Sequence, residues 1–410
     1  MNIARRLTAI TLAGTLAAGL AACAGSSGGD EDSVTIGLLQ PMSGAASGYG
    51  EETQAGFKFV VDKINREGGI KSMGGAKIKI DLADTGSEPG QAATEARRLM
   101  GKEGVAMVSG TLLTNEMAAV SPVADQYQVP VLALFAAGSD SEYLYSLGSP
   151  YDEGYAGTMV DFMKYLNEEL DAGLETAALS SSNYEAGQAV DKALRSRLDS
   201  AGLDVVGSVP LDQDTTDFGP AVSKLRSLDA DVVTGVAIQK DGIQLHQARA
   251  AAGMDTLFVG SASGYADAGV FENLGETARD VLVNNTFGMT TFAESAESGA
   301  TKALIEEAKA ANIKVPLGQN FVSGAQAARV VQQTLENTKS SEPADLLEAL
   351  REVSFEADSD DLYLLKADGL KFSKKRFPSD LQNLMIQWNA DGSQDVVWPE
   401  DFASRPPKLP

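Results

Sequence analysis

The chain has 410 residues, with 57 Asp plus Glu against 33 Lys plus Arg, one His and one Cys. A formal charge of −24 repels polyphosphate, so no nucleic-acid partner is expected. With one Cys and one His, the chain cannot form an intrachain disulfide or a Cys- and His-based zinc site, so no metal is expected. The length exceeds what a single hydrophobic core usually supports, which predicts two lobes.

Residues 1–22 have the pattern of an export signal peptide. Arg5 and Arg6 precede an apolar run that contains no acidic residue and is too rich in Ala and Gly for a spanning helix. The run ends in Leu-Ala-Ala-Cys, which resembles the lipobox of bacterial lipoproteins, where the Cys becomes the lipidated first residue. We therefore predict lipidation of Cys23, with a flexible tether over residues 23–33.

Strand and helix patterns then alternate along the chain. This spacing predicts parallel sheets with helices on both faces, whose ligands meet the loops at the carboxyl ends of the strands. The first series has strands Val34–Leu39, Lys77–Leu82, Val105–Val108 and Val129–Leu134, and helices over residues 55–64, 91–100 and 115–127. The second has helices 153–170, 186–201, 218–228 and 241–252, and strands 176–179, 204–209, 232–236, 257–259 and 281–284.

The remainder of the chain changes character. Three helices are predicted without intervening strands, at residues 301–311, 325–337 and 343–353. The tail returns to strand patterns at Leu362–Lys366 and Leu384–Trp388, and Asn389-Ala390-Asp391-Gly392 is typical of a turn.

Several short stretches, in order, resemble the type I periplasmic-binding-protein superfamily, specifically the leucine/isoleucine/valine-binding-like lipoproteins that serve ABC importers. They are distributed over nearly all of residues 34–398, which makes their combination more specific than any one stretch. The matching residues are 35–44 (TIGLLQPMSG), 49–50 (YG), 64–70 (INREGGI), 184–187 (YEAG), 216–218 (TDF), 247–249 (QAR) and 387–392 (QWNADG).

The resemblance implies an α/β fold of two Rossmann-like, doubly wound lobes joined by three crossover hinges, near residues 145–151, 285–289 and 354–362. The amino-terminal lobe would comprise residues 34–147 and 288–355. The carboxy-terminal lobe would comprise residues 148–287 and 356–400. In this superfamily the ligand lies between the lobes, and closure of the hinges excludes water.

The loop Gly110–Asn115 matches the segment that holds a ligand carboxylate in the family. Thr111 and Thr114 would supply hydroxyls, and the start of the following helix offers free N–H groups and the positive end of a dipole. The alternative is that Thr114 or Asn115 only caps that helix, because capping uses the same geometry.

Further ligand contacts follow from the resemblance. Phe135, Ala136 and Ser139 lie in a loop that elsewhere contributes backbone groups and a hydroxyl. Tyr49 and Tyr184 match aromatic contacts, which would offer a small amphipathic ligand apolar area and a polar group. The alternative for both tyrosines is ordinary half-buried packing.

The sequence departs from amino-acid-binding members at two loops. Gln239 lies near the position where they have a Tyr, and Ser261 and Ser263 replace the region of the Glu that binds the ligand ammonium. A buried ammonium without an anionic partner is costly. The expected ligand is a small amino-acid-like or carboxylate/amide compound. A branched-chain amino acid would need Asp241 or Asp267 in place of the Glu, and an amide, urea derivative, short-chain acid or aromatic acid is an equal alternative.

The predicted function is an extracytoplasmic solute-binding lipoprotein of an ABC importer, without a cofactor. Its partners would be a small-molecule ligand, the permease and ATPase subunits, and the membrane through lipid on Cys23, and the protein would be monomeric. One alternative is a surface sensor or adaptor with the same two-lobe clamp. An enzyme is disfavoured because no phosphate-binding glycine loop is present and His246 lies within a predicted helix.

Overall fold

The computed structural model describes residues 33–410, except residues 103, 136–139, 213–214, 294–298, 365–368 and 380–382. The export signal, Cys23 and most of the tether lie outside the described residues. Two of the predicted ligand contacts, Ala136 and Ser139, lie outside them as well.

The first sheet is parallel, with the strand order β2-β1-β3-β4-β5. Its two faces are covered by helices: α1 packs on the face that holds Ile36 and Leu38, and α2 and α3 pack on the face that holds Leu39. The elements are β1 (Ser33–Gln40), α1 (Ser47–Arg66), β2 (Lys77–Asp84), α2 (Pro89–Met100), β3 (Val105–Gly110), α3 (Thr114–Tyr127), β4 (Val131–Ala133) and β5 (Leu144–Ser146).

A second sheet has the order β14-β13-β10-β9-β8-β6-β7, in which β13 and β14 run antiparallel to their neighbours. Helices α4 and α5 cover one face, and α6 and α7 cover the other. After a π-helical segment at Tyr151–Ala156 come α4 (Gly157–Leu170), β6 (Thr176–Leu179), α5 (Glu185–Ser200), β7 (Asp204–Ser208), α6 (Gly219–Ser227), β8 (Val232–Val236), α7 (Gln239–Ala252), β9 (Leu257–Ser261), α8 (Ser263–Ala266), α9 (Ala268–Asn273), α10 (Glu276–Asn285) and β10 (Thr286–Thr290).

The last part of the chain first returns to the first sheet. Helix α12 packs on α1. Leu362, Tyr363 and Leu370 belong to the buried apolar cluster that these two helices form with the first sheet. The chain then contributes the antiparallel hairpin β13–β14 to the second sheet. The elements are α11 (Gly299–Ala310), α12 (Gln319–Thr338), α13 (Pro343–Arg351), β11 (Ser354–Phe355), β12 (Leu370–Lys371), β13 (Leu384–Trp388) and β14 (Gln394–Trp398).

One predicted strand is wrong, and the described part of a second, Leu362–Lys366, is not a strand; its residues 365–366 lie outside the described residues. Residues 281–284 belong to α10, where the buried Ala278 and Leu282 lie four residues apart on one helix face. Residues 362–364 are not in a strand, because the backbone N–H groups of Tyr363 and Leu364 donate to the side chain of Gln326 instead of to a neighbouring strand. A short apolar run does not distinguish these cases from a strand.

The chain also crosses between the sheets later than expected. Residues 286–290 form β10 within the second sheet, so the chain leaves this sheet after Thr290 rather than within residues 285–289. Phe355, Leu362, Tyr363, Leu364 and Leu370 belong to the buried cluster that holds α1, α12 and the first sheet, so the return crossing follows Leu370 rather than falling at 354–362.

Helices α1 and α12 cross at two glycines. A Cβ atom on Gly56 would lie 1.9 Å from the carbonyl oxygen of Phe321, and one on Gly324 would lie 2.1 Å from that of Thr53. The two backbones therefore approach more closely than any larger residue would permit. This crossing fixes the start of α1, which carries Tyr49.

Gly56→Ala should lower the free energy of unfolding by about 1–3 kcal/mol, the usual cost of overpacking, although Ala is the better helix former. Urea denaturation measures this change. Gly48→Ala, in the same helix with no atom near the added Cβ, is the matched control and should be neutral or stabilising. Equal effects of the two substitutions would contradict the close crossing.

Candidate functional site

Tyr49, at the start of α1, joins the two halves of the molecule. Its hydroxyl lies 2.6 Å from the Ser263 hydroxyl and accepts a hydrogen bond from the backbone N–H of Gln239 at 3.3 Å. Gln239 is the first residue of α7 and Ser263 the first residue of α8, the helices that follow β8 and β9 at the carboxyl end of the second sheet. The structure thus brings together three residues that the sequence predicts as ligand contacts from opposite lobes.

Tyr49 is neutral in this arrangement. Burial raises the pKa of its hydroxyl to about 12, and the nearby carboxylates of Asp267 and Glu52 act in the same direction, against the hydrogen bonds from Ser263 and Gln239. A neutral phenol can donate and accept a hydrogen bond at once. It therefore suits a contact with uncharged hydroxyl and amide groups.

Thr114 forms a second contact toward the other half of the molecule. It is the first residue of α3, and its hydroxyl hydrogen-bonds the hydroxyl of Tyr151 in the π-helical segment. Leu113 holds the capping position, and no side chain caps the helix. Thr114 therefore does not cap α3. The Asn115 side chain accepts a hydrogen bond from the first-turn N–H of Glu116.

Tyrosines are concentrated on the second-sheet side of this interface. The rings of Tyr151 and Tyr155 lie 5.6 Å apart and nearly perpendicular. Tyr184, the residue before α5, has a pKa well above its ordinary value because of burial, reinforced by the proximity of Tyr151, Tyr155, Tyr49 and Asp241. Sequence reasoning missed Tyr151 and Tyr155; their spacing of four residues directly after a predicted crossover was the available signal.

The other predicted contacts are placed differently. The hydroxyls of Thr111 and Ser261 are fully buried and have no hydrogen-bond partner among the described residues. Phe135 is half-buried and lines, with Ser149, Tyr155 and Ser323, a cavity of about 10 Å³, which is room for one water molecule. Thr111, Ser261 and Phe135 therefore take no part in the hydrogen bonds of Tyr49.

An open groove of about 650 Å³ lies beside Thr114. It runs along α3 to residues 140–142 and reaches Glu185 at the start of α5. The groove therefore opens at the edge of the contact between Thr114 and Tyr151, rather than at the contact between Tyr49 and Ser263.

Two aspartates are the candidates to replace the missing Glu. The Asp267 carboxylate is already engaged through its Oδ1, which accepts from the backbone N–H of Gly269 at 2.8 Å and from Gln239 Nε2 at 3.1 Å. Asp241 is fully buried, and its Oδ2 accepts from the Ser182 hydroxyl at 2.5 Å. Its Oδ1 has no partner in the described part of the chain, and burial raises its pKa. Asp241 therefore presents a buried oxygen that a ligand donor could satisfy.

Glu52 lies one helical turn after Tyr49 and accepts a hydrogen bond from Asn320 Nδ2 at 2.8 Å. Burial raises the pKa of this carboxyl from 4.5 to about 7, opposed by the Asn320 hydrogen bond and assisted by the charge of Asp267. Ionised Glu52 and Asp267 therefore repel each other across the interface.

We expect Glu52→Gln to melt at a higher temperature than the unmodified protein at pH 8, and the difference to shrink as the pH falls to 4. The folded state binds the Glu52 proton more tightly than the unfolded chain does, so stability falls as the pH rises from about 4.5 to about 7. Thermal melts across this range measure the effect. Glu67→Gln, an exposed change at the end of the same helix, is the control, and the same pH dependence there would exclude burial as the cause.

Within the described residues, no group of three or more His, Cys, Asp or Glu side chains is placed to hold a metal ion. No helix in that part of the chain is long and apolar enough to cross a membrane.

The comparisons with known proteins agree with this geometry. The family model for periplasmic binding proteins matches residues 33–374. The chain belongs to the periplasmic binding protein family. Leu/Ile/Val-binding protein homolog 8 of Brucella abortus is 27% identical to it over 384 residues, which cover 90% of this chain and 91% of that relative.

Solved structures match the fold. The substrate-binding protein LivJ of Streptococcus pneumoniae, a branched-chain amino acid transporter component in complex with isoleucine, superimposes with a TM-score of 0.74 at 21% identity, covering 90% of this chain and 100% of that one. An ABC-transporter solute-binding protein of R. palustris in complex with 4-hydroxybenzoate gives a TM-score of 0.73 at 19% identity, with 89% and 95% covered. At these sequence identities, the structural similarity establishes the fold of this chain.

Several predictions from the sequence are thereby confirmed. The protein has the type I periplasmic-binding-protein fold, with parallel sheets flanked by helices. It belongs to the periplasmic binding proteins, as the resemblance implies, and it is similar over most of its length to a Leu/Ile/Val-binding protein homolog.

Proposed function

We propose that this periplasmic binding protein is the lipid-anchored solute receptor of an ABC importer, and that it closes on one small solute held between its two lobes. The observation that carries the proposal is the contact of Tyr49 with Ser263 and Gln239, which joins opposite lobes at the carboxyl ends of their sheets. Contacts of this kind exist only when the cleft is closed.

Closure would act as a population shift. A solute that touches both lobes stabilises the closed state by the difference between its affinities for the two states. Burial disfavours the charged form of Glu52 and raises its pKa, so desolvation of this group would oppose closure without solute. The permease would then recognise the closed form.

The proposed solute has a carboxylate or amide group and an apolar or aromatic body. The start of α3 at Thr114 offers N–H groups and a hydroxyl to the polar end. Tyr49, Tyr151 and Tyr184 offer ring surface to the body. Proteins of the same fold are known in complex with isoleucine and with 4-hydroxybenzoate, and both solutes combine a carboxylate with an apolar part.

A primary ammonium group needs acceptors for three N–H donors. The Oδ1 of Asp267 already accepts two hydrogen bonds from its own lobe, which leaves its Oδ2, and Asp241 offers one unpartnered buried oxygen, Oδ1. Because Ser261 and Ser263 replace the region of the Glu that binds the ammonium in amino-acid-binding members, we infer an aromatic acid, a short-chain acid or an amide rather than a branched-chain amino acid.

The proposal includes the membrane anchor and the division into lobes. Lipid on Cys23, followed by the tether, would hold a monomeric receptor beside its permease. The lobes would be residues 34–147 with about 291–371, and residues 148–290 with about 384–400, following the strands and buried clusters.

A thermal-shift screen tests the proposal. Residues 24–410, refolded to remove any solute acquired during expression, would be melted with L-leucine, L-isoleucine, benzoate, 4-hydroxybenzoate, acetamide and urea. A bound solute stabilises by about 4 kcal/mol at a thousandfold excess over its Kd. We expect an aromatic or short-chain acid or an amide to raise the Tm, and Thr114→Val to reduce that shift.

Thr94→Val, an exposed hydroxyl on α2, is the matched control and should leave the shift unchanged. A shift with the branched-chain amino acids alone would overturn the proposed ligand class. No shift with any compound in this panel would contradict the proposal as a whole.

A further inference from the structure

The segment Ser263–Asp267 reaches Tyr49 through a strained backbone. Ala262, the residue before it, has φ 65° and ψ −173°, a conformation that glycine adopts readily and other residues rarely. This conformation turns the chain at the end of β9 and brings the Ser263 hydroxyl to the Tyr49 hydroxyl. A strained residue persists only where the surrounding contacts hold it.

Three consecutive carbonyl groups in this segment each accept a hydrogen bond from a side chain. His246 Nε2 donates to Gly264 at 3.2 Å, Trp388 Nε1 donates to Tyr265 at 2.8 Å, and Gln394 Nε2 donates to Ala266 at 2.7 Å. Helix α8 ends at Ala266, so these carbonyls lack partners within the helix. The donors come from α7, β13 and β14, so three separate elements meet at one short segment.

The surroundings of His246 fix its tautomer. Its Nδ1 lies 3.1 Å from Nη1 of Arg249, which can only donate, while its Nε2 faces a carbonyl, which can only accept. The proton must therefore be on Nε2. Burial, together with the charge of Arg249, lowers the pKa of the imidazole to about 3, so the ring is neutral at physiological pH.

Close packing leaves the segment no other position. A Cβ on Gly242 would lie 2.3 Å from the Gly264 carbonyl oxygen, and a Cβ on Gly264 would lie 2.7 Å from Cβ of Ala237. Trp388 is itself fixed, because its ring is fully buried and stacks on Phe271 at 5.4 Å.

We propose that His246, Trp388 and Gln394 form a carbonyl clamp that positions Ser263 for the contact with Tyr49. They are positioning residues, since they act on the cleft through the backbone of residues 264–266. The importance of the clamp for solute binding rests on the proposed function, but the clamp itself does not. The competing explanation is that the three side chains only satisfy helix-end carbonyls and stabilise the lobe as a whole.

Hydrogen exchange of the solute-free protein separates these explanations. In Trp388→Phe and His246→Leu, the amides of residues 264–267 should exchange about tenfold faster, the order expected for one lost hydrogen bond, while those of α4 keep their rates. His246→Gln, which retains one donor and one acceptor, should restore slow exchange. Ser180→Ala, which removes a buried hydroxyl bond to the Val209 carbonyl, is the matched control and should leave residues 264–267 unchanged.

Equal acceleration in α4 and in residues 264–267 would show a merely structural role, and unchanged exchange in both would eliminate the clamp. If His246→Leu does not fold, Gln394→Leu allows the same comparison, because the Gln394 side chain is only half-buried and its replacement disturbs the fold less. Because no solute is present, failure here leaves the proposed function intact, and failure of the solute screen leaves the clamp intact.

The single histidine permits an independent spectroscopic readout. In tag-free protein labelled with ¹⁵N-histidine, the ring should give one set of signals from the Nε2–H tautomer between pH 6 and pH 8. A proton on Nδ1, or an imidazolium in this range, would overturn the proposed geometry.

Discussion

The hydroxyl of Tyr49 is the contact on which the closed arrangement depends. It meets a hydroxyl and a backbone N–H from the starts of two helices, α8 and α7, that follow strands of the second sheet, while its own helix packs on the first sheet. Each partner is held in turn: the glycine crossing of α1 and α12 sets the start of α1, and the carbonyl clamp holds the segment that carries Ser263. The contact of Tyr49 with Ser263 and Gln239 therefore depends on the relative position of the two lobes.

Polar groups buried at the interface set the energetic balance of closure. Tyr49, Tyr184, Glu52 and Asp241 all have a raised pKa because burial disfavours their charged forms. Desolvation of these groups is unfavourable unless new hydrogen bonds or solute contacts offset it. In the proposed function, the contacts of the solute with both lobes would offset this desolvation.

Much of the fold could be predicted from the sequence, because strand and helix alternation with apolar spacing reflects burial on both faces of a parallel sheet. The same pattern placed Tyr49, Gln239 and Ser263 in loops at carboxyl strand ends, where the structure brings them together. Residues 281–284 show the limit, since a short apolar run fits a helix face as well as a strand.

Other features depend on contacts between residues that are distant in sequence, which a local sequence pattern does not predict. Tyr151 and Tyr155 reach the cleft only because the crossover turns into a π-helical segment. Glu52 has a raised pKa because it is buried among residues distant in sequence, Asn320 and Asp267. The clamp joins side chains more than a hundred residues apart in the chain, as between Trp388 and Tyr265.

The central claim, that solute binding closes the cleft at Tyr49, is tested most directly by a distance between the lobes. Cys23 is the only cysteine, so a chain that begins after it can carry spin labels at cysteines introduced at the exposed Thr94 on α2 and Ser196 on α5. Pulsed electron resonance would compare the protein alone with the protein saturated by the most stabilising solute of the screen. The account predicts a narrow distribution with solute and a broader, shifted distribution without it, and in Tyr49→Phe a broader distribution even with solute. Identical distributions in all three samples would contradict it.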